Sequence, residues 1–189
     1  TGSFKIRGAI NKISKLTDKE KSNGIIAYSS GNHAQAVAYA SKIFNVKAKI
    51  VMPKNAPKIK IENTKKYGAQ VILYDDFKES REEIASKISK KEKLKIIKPY
   101  DDLDIIAGQG TTGKEISDAL KKLNVIPDIY LCCCGGGGLI AGSSTYLKKT
   151  FPNIKNYSVE PVEFNDTQLS LSSNTIISNL DTSRSICDA

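Results

Sequence analysis

Short apolar runs alternate along this chain with longer amphipathic stretches, and this alternation constrains the fold more than any other feature. Residues 25–28 (IIAY), 48–52 (AKIVM), 71–74 (VILY), 94–97 (LKII), 129–133 (IYLCC) and 156–159 (NYSV) have the length and content of strands. Between and before them, residues 6–16, 32–44, 58–67, 77–89, 105–123 and 139–150 read as helices. In the fifth of these, Ile116, Leu120 and Leu123 recur at the three- and four-residue spacing of one helix face. Strands separated by helices predict an α/β fold with a parallel sheet covered on its faces. Pro53, Pro57 and Pro127 punctuate the joins. In such sheets ligands bind at the carboxyl ends of strands, so the loops that follow strands are the places to look for chemistry.

The sharpest of these loops is Gly135-Gly136-Gly137-Gly138-Leu139, after a strand and before a helix. Four glycines let an anion approach the backbone unhindered, and the helix behind them offers free amides and the positive end of its dipole. Each charge-assisted hydrogen bond contributes ~1.5–3 kcal/mol, so the amides would supply most of the binding. No lysine follows the loop, which suits one compact phosphate monoester better than a nucleotide triphosphate with magnesium. A second loop, Ser29-Ser30-Gly31-Asn32-His33, also joins a strand to a helix and suits a carboxylate. His33 is the sole histidine, and its context lacks the GxSxG elbow of a hydrolase. A third stretch, Ser3-Phe4-Lys5-Ile6-Arg7-Gly8-Ala9, places Lys5 before a helix, which by itself assigns it no role.

Residues 108–115 (GQGTTGKE) spell both GxGxxG and GxxxxGK. Glu115 stands where a P-loop needs a hydroxyl for magnesium, and no acidic residue closes the next strand as a dinucleotide fold requires. A nucleotide-binding α/β module using residues 108–113 is nevertheless the alternative reading.

Composition limits the partners. The net charge is +9, from 29 basic and 20 acidic residues, which invites a nucleic-acid reading. The excess is nearly all lysine, however, and its densest run, residues 86–98, has no interleaved aromatic for base stacking. A solvated lysine-rich surface is the expectation, with no nucleic-acid partner. No apolar run approaches the ~20 residues of a membrane span, and no membrane partner is expected. Cys132, Cys133 and Cys134 are consecutive, so on a strand they cannot converge on one metal; together with Cys187 they read as buried, inert thiols in a reducing cytosol. A cytoplasmic location follows. The start at Thr1-Gly2-Ser3 and the end at Asp188-Ala189 predict a fragment of a longer protein.

Taken in order, SFKIRGA, SSGNHAQA, IAGQGT and GGGGLIAG resemble the fold-type-II pyridoxal-phosphate enzymes, most closely the serine/threonine dehydratase and serine racemase group. The similarity runs through essentially the whole chain. It implies a small domain at residues 23–100 inserted into a large domain formed by residues 1–22 and 101–189. It also implies an activity: ammonia-lyase chemistry on small hydroxy-amino acids, serine racemisation, or both.

By the same resemblance, Lys5 bonds the cofactor aldehyde and shuttles the α-proton, while Asn32 faces the phenolic oxygen of the pyridine ring. The amides of Gly135, Gly136, Gly137, Gly138 and Leu139 hold the phosphate. Ser29, Asn32 and His33 receive the substrate carboxylate, with Gln109 and Gly110 lining the same pocket. Ser30 matches the second acid/base of the racemases. Glu160, Asp166 and the carbonyl of Phe164 match a structural Mg2+ or Ca2+ site of the racemase-like branch. Family members are commonly dimers or tetramers, so a homo-oligomer is expected. The chain departs from the family pattern at Cys132, Cys133 and Cys134, where proline-valine more usually approaches the glycine loop.

Overall fold

The computed structural model describes residues 1–179, and Cys187 lies outside them. The chain divides into two compact units, Thr1–Gly108 and Gln109–Ala189.

The first unit is built on a four-stranded parallel sheet. Its strands are β1 (Ile25–Tyr28), β2 (Ala48–Pro53), β3 (Gln70–Tyr74) and β4 (Lys95–Ile96), in spatial order β3-β2-β1-β4. Register runs in step, with Ile25 beside Ala48 and Ile50 beside Val71. Successive strands are joined by α3 (Asn32–Ile43), α4 (Lys58–Lys66) and α5 (Arg81–Glu92), while α1 (Lys5–Ser14) and α2 (Asp18–Asn23) precede the sheet.

Side chains alternate across the central strand. Ile25 and Ala27 enter a core with Ala9 and Ile13 of α1 and Ala34, Val37 and Ala40 of α3. Ile26 joins the opposite core, with Val51, Tyr74 and Ala85 of α5. A strand buried on both faces reads as an unbroken apolar run, as IIAY does. Ion pairs from Lys12 to Asp102 (2.8 Å) and Asp104 (3.0 Å) hold α1 against the segment opening the long helix α6 (Leu103–Lys122).

The second unit has a parallel pair, β5 (Ile129–Cys133) and β6 (Lys155–Val159), joined by α7 (Gly138–Thr150) and followed by α8 (Asp166–Ser173). Leu131, Tyr157 and Val159 of this pair are exposed. Of the three cysteines among the described residues, all expected to be buried, only Cys132 is; Cys133 is exposed and Cys134 half-buried, because alternation turns neighbouring side chains to opposite faces.

All six expected strands form, and two helices are added. The first is α2, opened by a capping box in which Thr17 and Glu20 each bond the other's backbone amide. The second is α8. One helix starts late: residues 75–79 form a turn closed on Asp75, and α5 begins only after Ser80, whose Oγ accepts from the Glu83 amide.

The GxGxxG stretch is corrected outright. Residues 108–113 lie inside α6 and form no phosphate loop. Their glycines serve close packing: a Cβ on Gly108 would stand 2.6 Å from the Arg7 carbonyl oxygen and from the Gly8 Cα. One on Gly113 would collide with the Ser143 carbonyl. A nucleotide needs amides free of helix bonds, and mid-helix amides are not free.

Candidate active site

Lys5 is the first residue of α1, half-buried, and its Nζ donates to the Pro99 carbonyl at 2.8 Å. The same Nζ lies 5.3 Å from the centre of the Phe4 ring and 5.8 Å from that of Tyr100. Among the described residues no carboxylate forms an ion pair with it. Burial therefore acts unopposed, and it lowers the amine's pKa below the ordinary lysine value. A cation held only by a neutral carbonyl and ring faces gives up its proton more readily than a surface lysine. Two residues earlier, Ser3 Oγ is buried with no hydrogen-bond partner among the described residues.

The Ser29-Ser30-Gly31 loop leaves the carboxyl end of β1 and opens α3, where no side chain caps the helix. Ser29 Oγ accepts from the Gly31 amide at 3.1 Å, which folds the loop back on itself. Ser30 is half-buried within it, and Asn32, at the first helical position, is exposed. His33 is buried, at 2% exposed, with Nε2 3.1 Å from the Ile97 carbonyl. A carbonyl only accepts, so Nε2 carries the proton. Burial, despite the Ile97 bond and helped by the charge of Lys5, lowers the imidazole pKa to about 4. The ring is neutral at physiological pH, and its donor is committed to Ile97. Lys5, His33 and the 97–100 segment thus share one neighbourhood of the first unit.

In the second unit the glycine loop runs from Cys134, whose amide still donates to the Val159 carbonyl at 3.0 Å, into the start of α7. Gly137 caps that helix with φ of 79°, a left-handed conformation that favours glycine. No side chain caps α7, and a Cβ added at Gly135 or Gly137 would meet nothing within 4 Å. Open space above uncapped amides at a helix start fits a phosphate group. Gln109, buried at 1% exposed on α6, has an Oε1 with no hydrogen-bond partner among the described residues. Gly110 lies one residue on, packed toward the Gly142 backbone.

The acidic turn is put to a structural use. Glu160 accepts from the Thr167 amide at 3.1 Å and, through its other oxygen, from the Gln168 amide at 3.0 Å, so it caps α8. Asp166 Oδ1 accepts from Asn179 at 3.0 Å, and the Phe164 amide closes a turn on the Pro161 carbonyl.

Sequence reasoning missed Pro99 and Tyr100 at Lys5, Ile97 at His33 and the capping role of Glu160. The loop 98–100 follows a strand, and that position alone pointed toward it.

A parallel α/β sheet, a partly desolvated lysine opening a helix, and an uncapped glycine-rich helix start are features that suit a phosphate-bearing cofactor. The chain belongs to the pyridoxal-phosphate dependent enzyme family, which it matches over residues 1–189, and has the fold-type-II architecture. It is 44% identical over 187 residues to a serine racemase of Schizosaccharomyces pombe, covering 99% of this chain and 56% of that protein. It is 43% identical to an L-threo-3-hydroxyaspartate ammonia-lyase of Saccharomyces cerevisiae, with the same coverage. The structure of the processed form of threonine deaminase isoform 2 from Solanum lycopersicum superposes with a TM-score of 0.86 at 42% identity, over 95% of this chain and 52% of that one. The chain thus spans about half the length of the curated relatives it matches.

Proposed function

We propose that the whole protein is a pyridoxal-phosphate-dependent enzyme of small hydroxy-amino acids, acting as a serine/threonine ammonia-lyase, a serine racemase, or both. The observation that carries this reading is Lys5: a half-buried amine, held by the Pro99 carbonyl, whose grip on its proton is weakened by burial. Bound pyridoxal phosphate withdraws electrons from the α-carbon of an amino acid, so that a base can remove the α-proton. Lys5 is the residue that bonds the cofactor and carries that proton. The amides of Gly135, Gly136, Gly137, Gly138 and Leu139 hold the phosphate, and Asn32 meets the phenolic oxygen.

Ser29, Asn32 and His33 receive the substrate carboxylate, and Gln109 of the second unit is a further substrate residue. Because Gly31 N–H is engaged by Ser29 Oγ and the His33 ring by Ile97, His33 contributes through its backbone amide rather than its imidazole. Ser30 Oγ delivers a proton to the opposite face in racemisation; loss of the β-hydroxyl instead gives a keto acid and ammonia. The relatives named above carry both kinds of activity, which supports keeping the two together.

Further parts of the proposal concern the whole molecule. Residues 23–100 form the small domain and 1–22 with 101–189 belong to the large one. The protein is a cytoplasmic homo-oligomer, a dimer or tetramer. Glu160, the Phe164 carbonyl and Asp166 hold Mg2+ or Ca2+: each engaged carboxylate oxygen accepts one N–H, which leaves lone pairs for a hard cation.

The test is turnover by the full-length protein loaded with pyridoxal phosphate. L-serine and L-threonine are expected to yield ammonia and keto acids, D-serine, or both. Absence of every product from all three L-amino acids, with L-threo-3-hydroxyaspartate as the third, would overturn the reading.

A further inference from the structure

Helix α1 is fastened near both of its ends to one stretch of chain. At its start Lys5 Nζ donates to the Pro99 carbonyl at 2.8 Å. Two turns later and on the same face, Lys12 Nζ meets Asp102 Oδ2 at 2.8 Å and Asp104 Oδ2 at 3.0 Å. The Lys12 and Asp102 side chains are only 14% and 18% exposed, so water and salt screen this pair less than a surface one. Asp102 is committed through both oxygens, because Oδ1 accepts from the Asp104 amide at 2.9 Å and the Ile105 amide at 3.3 Å where α6 opens. Asn11 Nδ2 adds a bond to the Asp104 carbonyl at 2.6 Å. Between the two fastenings α1 lies close against α6, since a Cβ on Gly108 would stand 2.6 Å from the Gly8 Cα. The Lys5 bond, by contrast, is made by one long flexible side chain, and its geometry depends on where α1 is set along residues 99–104.

We propose that Lys12 and Asp102 are positioning residues for Lys5: their ion pair sets the register of α1 along residues 99–104, and that register keeps the Lys5 amine on the Pro99 carbonyl and away from water. This rests on the proposed function, in which Lys5 is the reacting amine.

The test follows reductive methylation of the cofactor-free full-length protein by formaldehyde and cyanoborohydride, with the rate at Lys5 read by mass spectrometry below its labelling midpoint. Asp102→Asn keeps an oxygen for the α6 amides and removes the charge that holds Lys12. Charge effects through space would slow Lys5 in Lys12→Met and speed it in Asp102→Asn, because a nearby cation lowers a lysine's pKa and a nearby anion raises it. Loss of register instead wets the amine and raises its pKa in both, so Lys5 is expected to react about threefold more slowly in each variant. Lys12→Arg should restore the wild-type rate. Ala85→Gly, on α5 in the opposite core, is a destabilised control whose Lys5 rate should match wild type. An unchanged or faster Lys5 rate in Asp102→Asn, or equal slowing in the Ala85→Gly control, would overturn the proposal while leaving the cofactor assignment intact. Wild-type protein in which borohydride traps no pyridoxal phosphate on Lys5 would overturn the proposed function and this proposal with it.

Discussion

The amine of Lys5 and the carbonyl of Pro99 are joined by a 2.8 Å hydrogen bond that links residues 94 positions apart. The bond positions the amine without adding a negative charge that would hold its proton. A carboxylate in the place of Pro99 would raise the lysine's pKa and hold its proton, whereas a carbonyl leaves burial to lower it. In the cofactor-free protein Lys5 should therefore react with carbonyl reagents at a lower pH than exposed lysines do. The check is pH-dependent labelling read peptide by peptide, in which the midpoint at Lys5 falls below 10.5, the ordinary lysine value.

His33 makes stability depend on pH. Its folded pKa is about 4, against the ordinary histidine value of 6.5, so between these limits the unfolded chain binds more protons than the folded one. Stability supported by the neutral ring is complete above pH 6.5 and is lost as pH falls toward 4, by up to about 3 kcal/mol. Urea titrations across that window should show the loss, and His33→Gln should flatten this part of the profile.

Two glycines of the 135–138 loop, proposed above to hold the phosphate, should behave differently. Gly137 has φ of 79°, so Gly137→Ala strains the backbone by about 1–2 kcal/mol and lowers both melting temperature and cofactor affinity. Gly135 faces open space, so Gly135→Ala should leave the melting temperature of the cofactor-free protein nearly unchanged while weakening pyridoxal phosphate. Thermal melts and cofactor titration of the two variants separate the effects.

The glycines of α6 are packing residues, and their replacement should cost stability. Gly108→Ala and Gly113→Ala drive a methyl group into backbone, with an expected loss of about 1–3 kcal/mol or more. Gly110→Ala, whose Cβ would lie 3.2 Å from the Gly142 carbonyl oxygen, should be milder. Denaturant midpoints for the three variants give the order directly.

How much of the fold and site is legible in the sequence depends on the range of the interactions involved. Strands such as IIAY are legible because a strand buried on both faces must be apolar throughout. The glycine loop is legible as a strand-to-helix turn because a left-handed residue such as Gly137, with φ of 79°, favours glycine. GxGxxG misleads because a spacing does not say whether glycines free the backbone for a ligand or clear space for a neighbouring helix. That distinction needs the Arg7 and Ser143 carbonyls, which are distant in sequence. Glu160 carries a carboxylate's usual ambiguity: the same oxygens suit a cation or the amides of a helix start, and α8 has no apolar periodicity to announce it. The bonds from Lys5 to Pro99 and from His33 to Ile97 use backbone carbonyls, which any residue supplies, so no side-chain pattern signals them.

The most direct test asks whether Lys5 is the residue that bonds the cofactor. Full-length protein is mixed with pyridoxal phosphate, its visible spectrum recorded, and the complex reduced with borohydride and mapped by mass spectrometry. A visible band and a single phosphopyridoxyl adduct on Lys5 are expected. No band, or label spread over exposed lysines with Lys5 unmodified, would contradict the assignment.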